Sequence, residues 1–366
     1  MKNSKKIVFV GGNLYPYKVG GYEIFNYYLL QELRKCDGVR QISHFKRPNY
    51  IMKEEYVQIT DIKPSIIFNT LQYFLKIIKN YKNDILVLTF AKSHWLNWWI
   101  YPILNVLFGV KYIIIIHGGG LSKWKWDYPF MMFFKRAAYI IGISDRICRE
   151  YNKRTNLQLK FIPPLIPFVN YENKEKAREL WEINKNSIVC LVVGSIKSLK
   201  KPDTIIAAAK ELGETYLKNN NVLFIFAGDG NMKAVIQEEV NSSSLQEYFR
   251  FLGNVDREKV TSLYALADIY IMASEFEGTP LSLLEAMYNK INIIASNAPG
   301  INTIVEDNIN GHIFEIGNSK QLACKINLLI SNLENKSWRN EANKTYNERF
   351  DYKKMIINYK KILENL

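Results

Sequence analysis

Short, continuous apolar runs alternate with segments whose apolar residues recur every three or four positions along this 366-residue chain. Lys6–Val10 is such a run and ends on Gly11-Gly12, after which Tyr22–Cys36 has the period of an amphipathic helix. Val39–Phe45 alternates as a strand, Ser65–Tyr81 is helical in period, and Ile85–Thr89 is a buried strand. Trp95–Phe108 predicts a helix broken or kinked near Pro102, followed by a fully buried strand at Tyr112–Ile116. Ala138–Ile143, a helix from Ser144, and Leu159–Ile162 bring the strands to six. Continuous β-branched runs separated by helices predict a parallel sheet covered on both faces.

Pro163, Pro164 and Pro167 then interrupt the pattern, and the charged stretch Asn170–Glu182 reads as a linker. The alternation restarts with Ser187–Val193, Asn221–Ala227, Phe249–Leu252, Asp268–Met272, Ile291–Ala295 and Gly311–Phe314. The predicted class is α/β, with two tandem doubly wound domains over 1–168 and 169–349. A last helix at 350–366 is expected to pack back toward the amino-terminal domain. The ligand cleft is expected between the domains, where the carboxyl ends of the strands face each other.

Composition narrows the function. At 48% hydrophobic and 23% charged residues the chain is too apolar to be disordered. Cys36, Cys148, Cys190 and Cys324 have no metal-ligand spacing, which argues against a zinc site or disulfide scaffold and fits a reducing cytoplasm. The apolar run after MKNSKK is too short for a signal-peptide core, and Trp95–Ile116 is interrupted too often for a clean membrane span. The net charge of +14 is unevenly placed: residues 1–170 hold 25 Lys and Arg against 10 Asp and Glu, and the rest is nearly balanced. The same half holds HWLNWWIYP and KWKWDYPFMMFFKR. Bases beside aromatics suit an anionic membrane surface if those aromatics are exposed, and are ordinary core packing if they are not. A basic chain also raises nucleic acid as a partner, but no binding module of that kind is present.

The most informative segment is SEFEGTPLSLLEAM, Ser274–Met287. A strand, a turn at Glu277-Gly278-Thr279-Pro280 and a helix from Leu281 place free amides of Leu281 and Ser282 where a diphosphate can be held. Glu277 and Glu285 stand eight residues apart, and a carboxylate in a cleft can accept two sugar hydroxyls. Taken alone, the pair is better read as a partner for the helix dipole at Glu277 and a surface residue at Glu285.

The surrounding residues change that balance. EGTPLSLLEAM resembles the E-x7-E element of retaining, nucleotide-sugar-dependent glycosyltransferases of family 4, which have the two-domain, Rossmann-like GT-B fold. Gly20-Gly21 after Tyr15-Pro16 resembles the family's glycine loop, IIIIHGGG places His117 at its cleft histidine, and VVGSIKSLKKPDTIIAAA aligns Lys201 with its phosphate-binding lysine. FAGDGN, RFLGNV, IIASNAPG and NING follow in the family's order, so the likeness runs from about Lys6 to the carboxyl terminus.

The resemblance implies roles. His117, Glu277 and Lys201 would be catalytic, with His117 and Glu277 on the transferred sugar and Lys201 stabilising the departing diphosphate. Gly194, Ser195, Lys197, Lys200, Gly278, Thr279, Pro280, Leu281 and Ser282 would line the phosphates, Gly253 and Asn254 the base, and Glu285 the ribose. Gly20 and Gly21 would serve the acceptor side. The donor would be a UDP- or GDP-sugar, the acceptor a glycan or lipid-linked glycan of bacterial cell-surface polysaccharide, and the protein cytoplasmic or peripheral on the inner face of the plasma membrane. No D-x-D occurs, so no metal or other cofactor is expected. Three positions depart from the family pattern: Ser195 replaces an Arg, leaving Lys197 or Lys200 to supply the second charge; Pro163-Pro164-Leu165 replaces a Pro-Asn-Gly hinge; and Pro299-Gly300 replaces a Gly-Gly pair, removing one N–H donor. A sugar-nucleotide epimerase or phosphorylase of the same fold, and a non-catalytic basic binding protein, are the competing readings.

Overall fold

The computed structural model describes residues 7–10, 21–35, 39–43, 56–58, 74–75, 77–79, 81–90, 99–117, 128–155, 157–164, 167–168 and 173–366. The chain divides into two units, Met1–Pro167 with Tyr352–Leu366, and Phe168–Asp351.

In the first unit β1 (Ile7–Val10), α1 (Gly21–Arg34), β2 (Val39–Ser43), β3 (Tyr56–Gln58) and β4 (Ile85–Phe90) are followed by α2 (Ile100–Phe108), β5 (Lys111–Ile116), α3 (Tyr128–Lys135), β6 (Tyr139–Gly142), α4 (Asp145–Thr155) and β7 (Lys160–Phe161). The seven strands are parallel in the order β3-β2-β1-β4-β5-β6-β7. Strand β5 sends Tyr112, Ile114 and Ile116 into one apolar cluster and Ile113 and Ile115 into another. Both faces of the sheet are therefore buried, which is why its strands read as unbroken apolar runs.

Two sequence expectations need correction here. The sheet has a seventh strand, the edge strand β3, whose three residues Tyr-Val-Gln are too few to show a period. Pro102 does not kink its helix: α2 begins at Ile100, so Pro102 is in the first turn, where its missing N–H has no intrahelical partner to lose.

The second unit comprises α5 (Lys174–Leu180), β8 (Ile188–Val193), α6 (Pro202–Leu212), α7 (Glu214–Asn219), β9 (Val222–Ala227), α8 (Lys233–Asn241), β10 (Phe249–Gly253), α9 (Arg257–Leu266), β11 (Ile269–Met272), α10 (Leu281–Tyr288), β12 (Asn292–Ser296), β13 (His312–Phe314), α11 (Ser319–Ile330) and α12 (Ser337–Arg349). Its six strands are parallel in the order β10-β9-β8-β11-β12-β13. Most of the charged stretch read as a linker is helix α5, capped by the Asn173 side chain on the Lys176 amide (2.9 Å). Its Arg178 is buried against Leu266, Lys185 and Asp268, so the charge that suggested solvent is spent inside the unit. In the proline segment Pro163 and Pro164 are buried, and Leu165 lies outside the described residues.

The final helix α13 (Tyr352–Glu364) belongs to the first unit. Met355, Tyr359 and Ile362 join the cluster of Phe25, Leu29 and Ile115, and the Tyr352 hydroxyl donates to Glu32 at 2.7 Å. Both sheets are parallel and sandwiched by helices, so each unit is a Rossmann-like domain.

Candidate functional site

From β8 the chain of the second unit runs outward through β9 to β10, then crosses back to place β11 on the other side of β8. In doubly wound sheets a ligand crevice opens at such a reversal, beyond the carboxyl ends of the strands. The loops leaving β8 and β11 meet there. The Glu275 amide donates to the Leu199 carbonyl at 2.9 Å, and the Lys200 ammonium pairs with the Glu277 carboxylate. Ser274 donates its hydroxyl to the same Glu277 oxygen at 2.7 Å. The loop after β12 holds Glu277 from the other side, because its amide donates to the Pro299 carbonyl at 3.0 Å. Ser296 adds a bond from its hydroxyl to the Ser274 carbonyl at 2.5 Å. Glu277 thus carries a fixed backbone and a carboxylate oriented by two donors.

Close backbone approach explains the glycine-rich strand ends. A Cβ on Gly228 would lie 1.9 Å from the Gly194 carbonyl oxygen. The turn of FAGDGN therefore lies directly on the loop that carries Lys200 and Lys201, and the Ile196 amide donates to Asp229 O at 2.9 Å. Lys201 caps α6 with a left-handed backbone (φ 48°), and no ion pair engages it among the described residues.

Helix α10 starts at Leu281 with Pro280 as its cap. The amides of Leu283 and Leu284 both turn back to the Pro280 carbonyl, at 3.1 and 3.2 Å. Leu281 and Ser282 are left as the first-turn donors that no acceptor engages among the described residues, and the dipole of the helix adds partial positive charge to them. The Ser282 hydroxyl is fixed by Tyr270 at 2.8 Å. One turn further, Glu285 is 4% exposed, accepts from the Tyr264 hydroxyl at 2.6 Å, and pairs with the Arg257 guanidinium. Burial, followed by the charge of Glu285, raises the Tyr264 pKa well above its ordinary value, so Tyr264 stays a neutral donor.

Some sequence-derived residues come together and others stand apart. Lys200, Lys201, Glu277, Gly278, Pro280, Leu281 and Ser282 lie on the loops of β8 and β11. Lys200 is the lysine drawn to Glu277, whereas Lys197 is exposed. Gly194 and Ser195 form the turn after β8. Gly253 closes β10, two strands from the reversal, and Asn254 beside it is exposed. In the first unit, His117 follows β5 and packs edge-on against Phe25 at 4.5 Å, and burial pushes its pKa down to about 3, so the ring is neutral. Gly21 opens α1, while Gly20 and the Gly118–Gly120 run lie outside the described residues.

Sequence reasoning missed Arg257, Tyr264 and Ser274. A tyrosine on the apolar face of a helix needs a partner for its hydroxyl, and that signal could have linked Tyr264 to Glu285. Arg257 gives no such signal, because nothing in a sequence shows which exposed-looking arginine folds over a buried acid. Among the described residues, no three or more His, Cys, Asp or Glu side chains are placed to hold a metal ion, and no helix is long and apolar enough to cross a membrane.

Residues 173–345 match the family described as glycosyl transferases group 1. The chain is 28% identical over 240 residues to an uncharacterized glycosyltransferase of Methanocaldococcus jannaschii, a stretch covering 64% of this chain and 60% of that protein. It is 28% identical over 194 residues to the UDP-Gal:alpha-D-GlcNAc-diphosphoundecaprenol alpha-1,3-galactosyltransferase of Escherichia coli, covering 48% of each. In both cases the match spans less than two thirds of the relative. The crystal structure of Anabaena HepE in complex with UDP superimposes with a TM-score of 0.78 at 17% identity, over 99% of this chain and 100% of that one.

Proposed function

We propose that this chain, whose residues 173–345 match the glycosyl transferases of group 1, moves a sugar from a nucleoside diphosphate to a hydroxyl of a lipid-linked glycan, retaining anomeric configuration and using no metal. One observation carries the donor assignment: the Leu281 and Ser282 amides lie at the β8/β11 reversal with Lys201 on the neighbouring loop. Two linked phosphates match that set of donors in charge and in number. Charge on the diphosphate grows as the glycosidic bond breaks, so these donors favour the transition state over bound donor. Glu277, oriented by Ser274 and Lys200, would accept from hydroxyls of the transferred sugar. Glu285 would take the ribose hydroxyls, which requires Arg257 to yield one of the carboxylate's oxygens. The E. coli relative is named for a UDP-galactose donor and a diphosphoundecaprenol acceptor, which supports a UDP-sugar and an acceptor on the inner face of a bacterial plasma membrane. Cell-surface polysaccharide synthesis is the setting this chemistry fits.

Lys201→Ala and Glu285→Ala should each lose about 1.5–3 kcal/mol of charge-assisted hydrogen bonding, a loss of about 10–100-fold in donor affinity or turnover. Calorimetric titration with UDP- and GDP-sugars, coupled to transfer of labelled sugar, measures both. Wild-type affinity and turnover in both variants would remove the diphosphate site. Tyr264→Phe should weaken donor binding by about 3–10-fold through loss of one bond that orients Glu285. If Tyr264→Phe titrates like the wild type while Glu285→Ala does not, Arg257 alone suffices to hold the carboxylate.

A further inference from the structure

Helix α2 is apolar on every side. Ile100, Tyr101 and Leu104 enter the core, where Tyr101 packs on Phe133 of α3 at 5.9 Å between ring centroids. The opposite face should then be polar, and it is not. Trp99, Ile103, Val106 and Leu107 fall within one arc of about 100°, at 100° per residue, and all four are exposed, Leu107 at 65% and Val106 at 55%. Asn105, the helix's one amide side chain, is spent internally on the Val110 carbonyl at 3.1 Å. A helix that is hydrophobic all round belongs in a core or in lipid, and half of this one is in neither.

The patch continues beyond α2. The Phe74 ring packs on Phe108 at 6.0 Å, and its neighbour Leu75 is exposed. Exposed cations stand on the elements packed beside it: Lys79, one turn after Leu75, and Lys135 and Arg136 at the end of α3, the helix on which Tyr101 packs. No Asp or Glu occurs between Asp84 and Asp127. An exposed apolar helix in an acid-free stretch of chain, with cations on the neighbouring elements, complements a surface that is anionic outside and apolar beneath.

We propose that the exposed face of α2 is a docking surface for an anionic phospholipid bilayer. Trp99, Ile103, Val106 and Leu107 enter the boundary between headgroups and acyl chains, and Lys79, Lys135 and Arg136 meet the lipid phosphates. This gives the membrane contact in the transferase reading a place on the molecule; the donor site takes no part in it.

The test is cosedimentation of the full chain with vesicles of phosphatidylcholine alone and of phosphatidylcholine with phosphatidylglycerol, at low and high salt. Binding should require phosphatidylglycerol and weaken as salt rises. The double variant Val106→Ser with Leu107→Ser should lose at least about tenfold in vesicle binding, and Lys79→Ala about fivefold. Both variants change exposed positions, so thermal melting should match the wild type and shows that any loss is not unfolding. Absence of binding to anionic vesicles overturns the proposal, as does binding by the double variant equal to wild type. Self-association in sedimentation velocity, abolished by the double variant with no vesicle binding, overturns it in favour of a contact between copies. Nucleotide-sugar titration of the same samples separates the two readings. Vesicle binding through α2 without donor binding keeps the surface and removes the transferase reading, and the reverse removes only the surface.

Discussion

Gly300→Ala should lower turnover by about 100-fold while Gly278→Ala, on the turn that Gly300 packs against, should leave the fold untouched. A Cβ at position 300 would lie 2.1 Å from the Glu277 carbonyl oxygen and 2.9 Å from that of Gly278, and the backbone there has φ +93°. Both obstacles are backbone, so no side-chain rotation relieves them. The left-handed conformation adds about 1–2 kcal/mol for any residue with a Cβ. The chain must therefore move the Glu277–Gly278 turn or the Pro299–Gly300 turn, and the bond from the Glu277 amide to the Pro299 carbonyl joins the two. Displacement of Glu277 by an ångström removes its fit to a reacting sugar. Gly278 has nothing within 4 Å of an added Cβ, so Gly278→Ala should melt like the wild type. A loss of donor affinity in Gly278→Ala would then report a ligand occupying that open space. Kinetics and melting curves on the two variants decide the matter: wild-type turnover in Gly300→Ala would show that the placement of Glu277 does not limit the reaction. The substitution of Pro299-Gly300 for a Gly-Gly pair, read from the sequence as a lost donor, is structurally a prop for the acid.

How far the sequence carried the fold follows from which faces are buried. Strands such as β5 and β9 are covered on both sides, so burial leaves long apolar runs that are hard to mistake. Edge strand β3 has no such run and was missed. Helix α5 was mistaken for a linker because its charges are visible in the sequence and the burial of Arg178 is not. The chemistry behaved in the same way. A strand, a turn and a helix carrying Glu277, Leu281 and Ser282 lie in one continuous segment, and local spacing is enough to place them. The pairing of Lys200 with Glu277 joins residues 77 positions apart, and that of Arg257 with Glu285 joins two elements that only the sheet order brings together. Period and propensity hold no information about such contacts. Nor do they show which half of a largely apolar helix faces out: within the two aromatic segments Tyr101, Phe133 and Phe134 are buried while Trp99 is exposed.

Arg178→Met should destabilise the second unit by about 3 kcal/mol, the largest effect on stability expected here. Arg178 is 5% exposed and its guanidinium makes bonds in three directions. Its Nε and Nη2 donate to the Leu266 carbonyl at 3.3 and 3.2 Å, Nη1 to Lys185 O at 2.5 Å, and Nη2 to Asp268 Oδ2 at 2.8 Å. The same Asp268 oxygen accepts from the Val189 amide at 2.8 Å. Arg178 therefore ties α5 to the starts of β8 and β11, the two strands that flank the site at their other ends. Methionine fills much of the volume but leaves two carbonyls and a largely buried carboxylate short of donors, and that desolvation is the main cost. Lys174 also pairs with Asp268, at 2.5 Å, and keeps the carboxylate from being left without a cation. It is itself half exposed, so Lys174→Ala should cost no more than about 1 kcal/mol. Urea titration followed by the fluorescence of Trp181, whose indole donates to Ser262 at 2.8 Å within the same packing of α5 on α9, measures both variants. Equal, small effects from the two substitutions would mean that the buried arginine contributes no more than a surface pair, and that α5 is held by its apolar contacts alone.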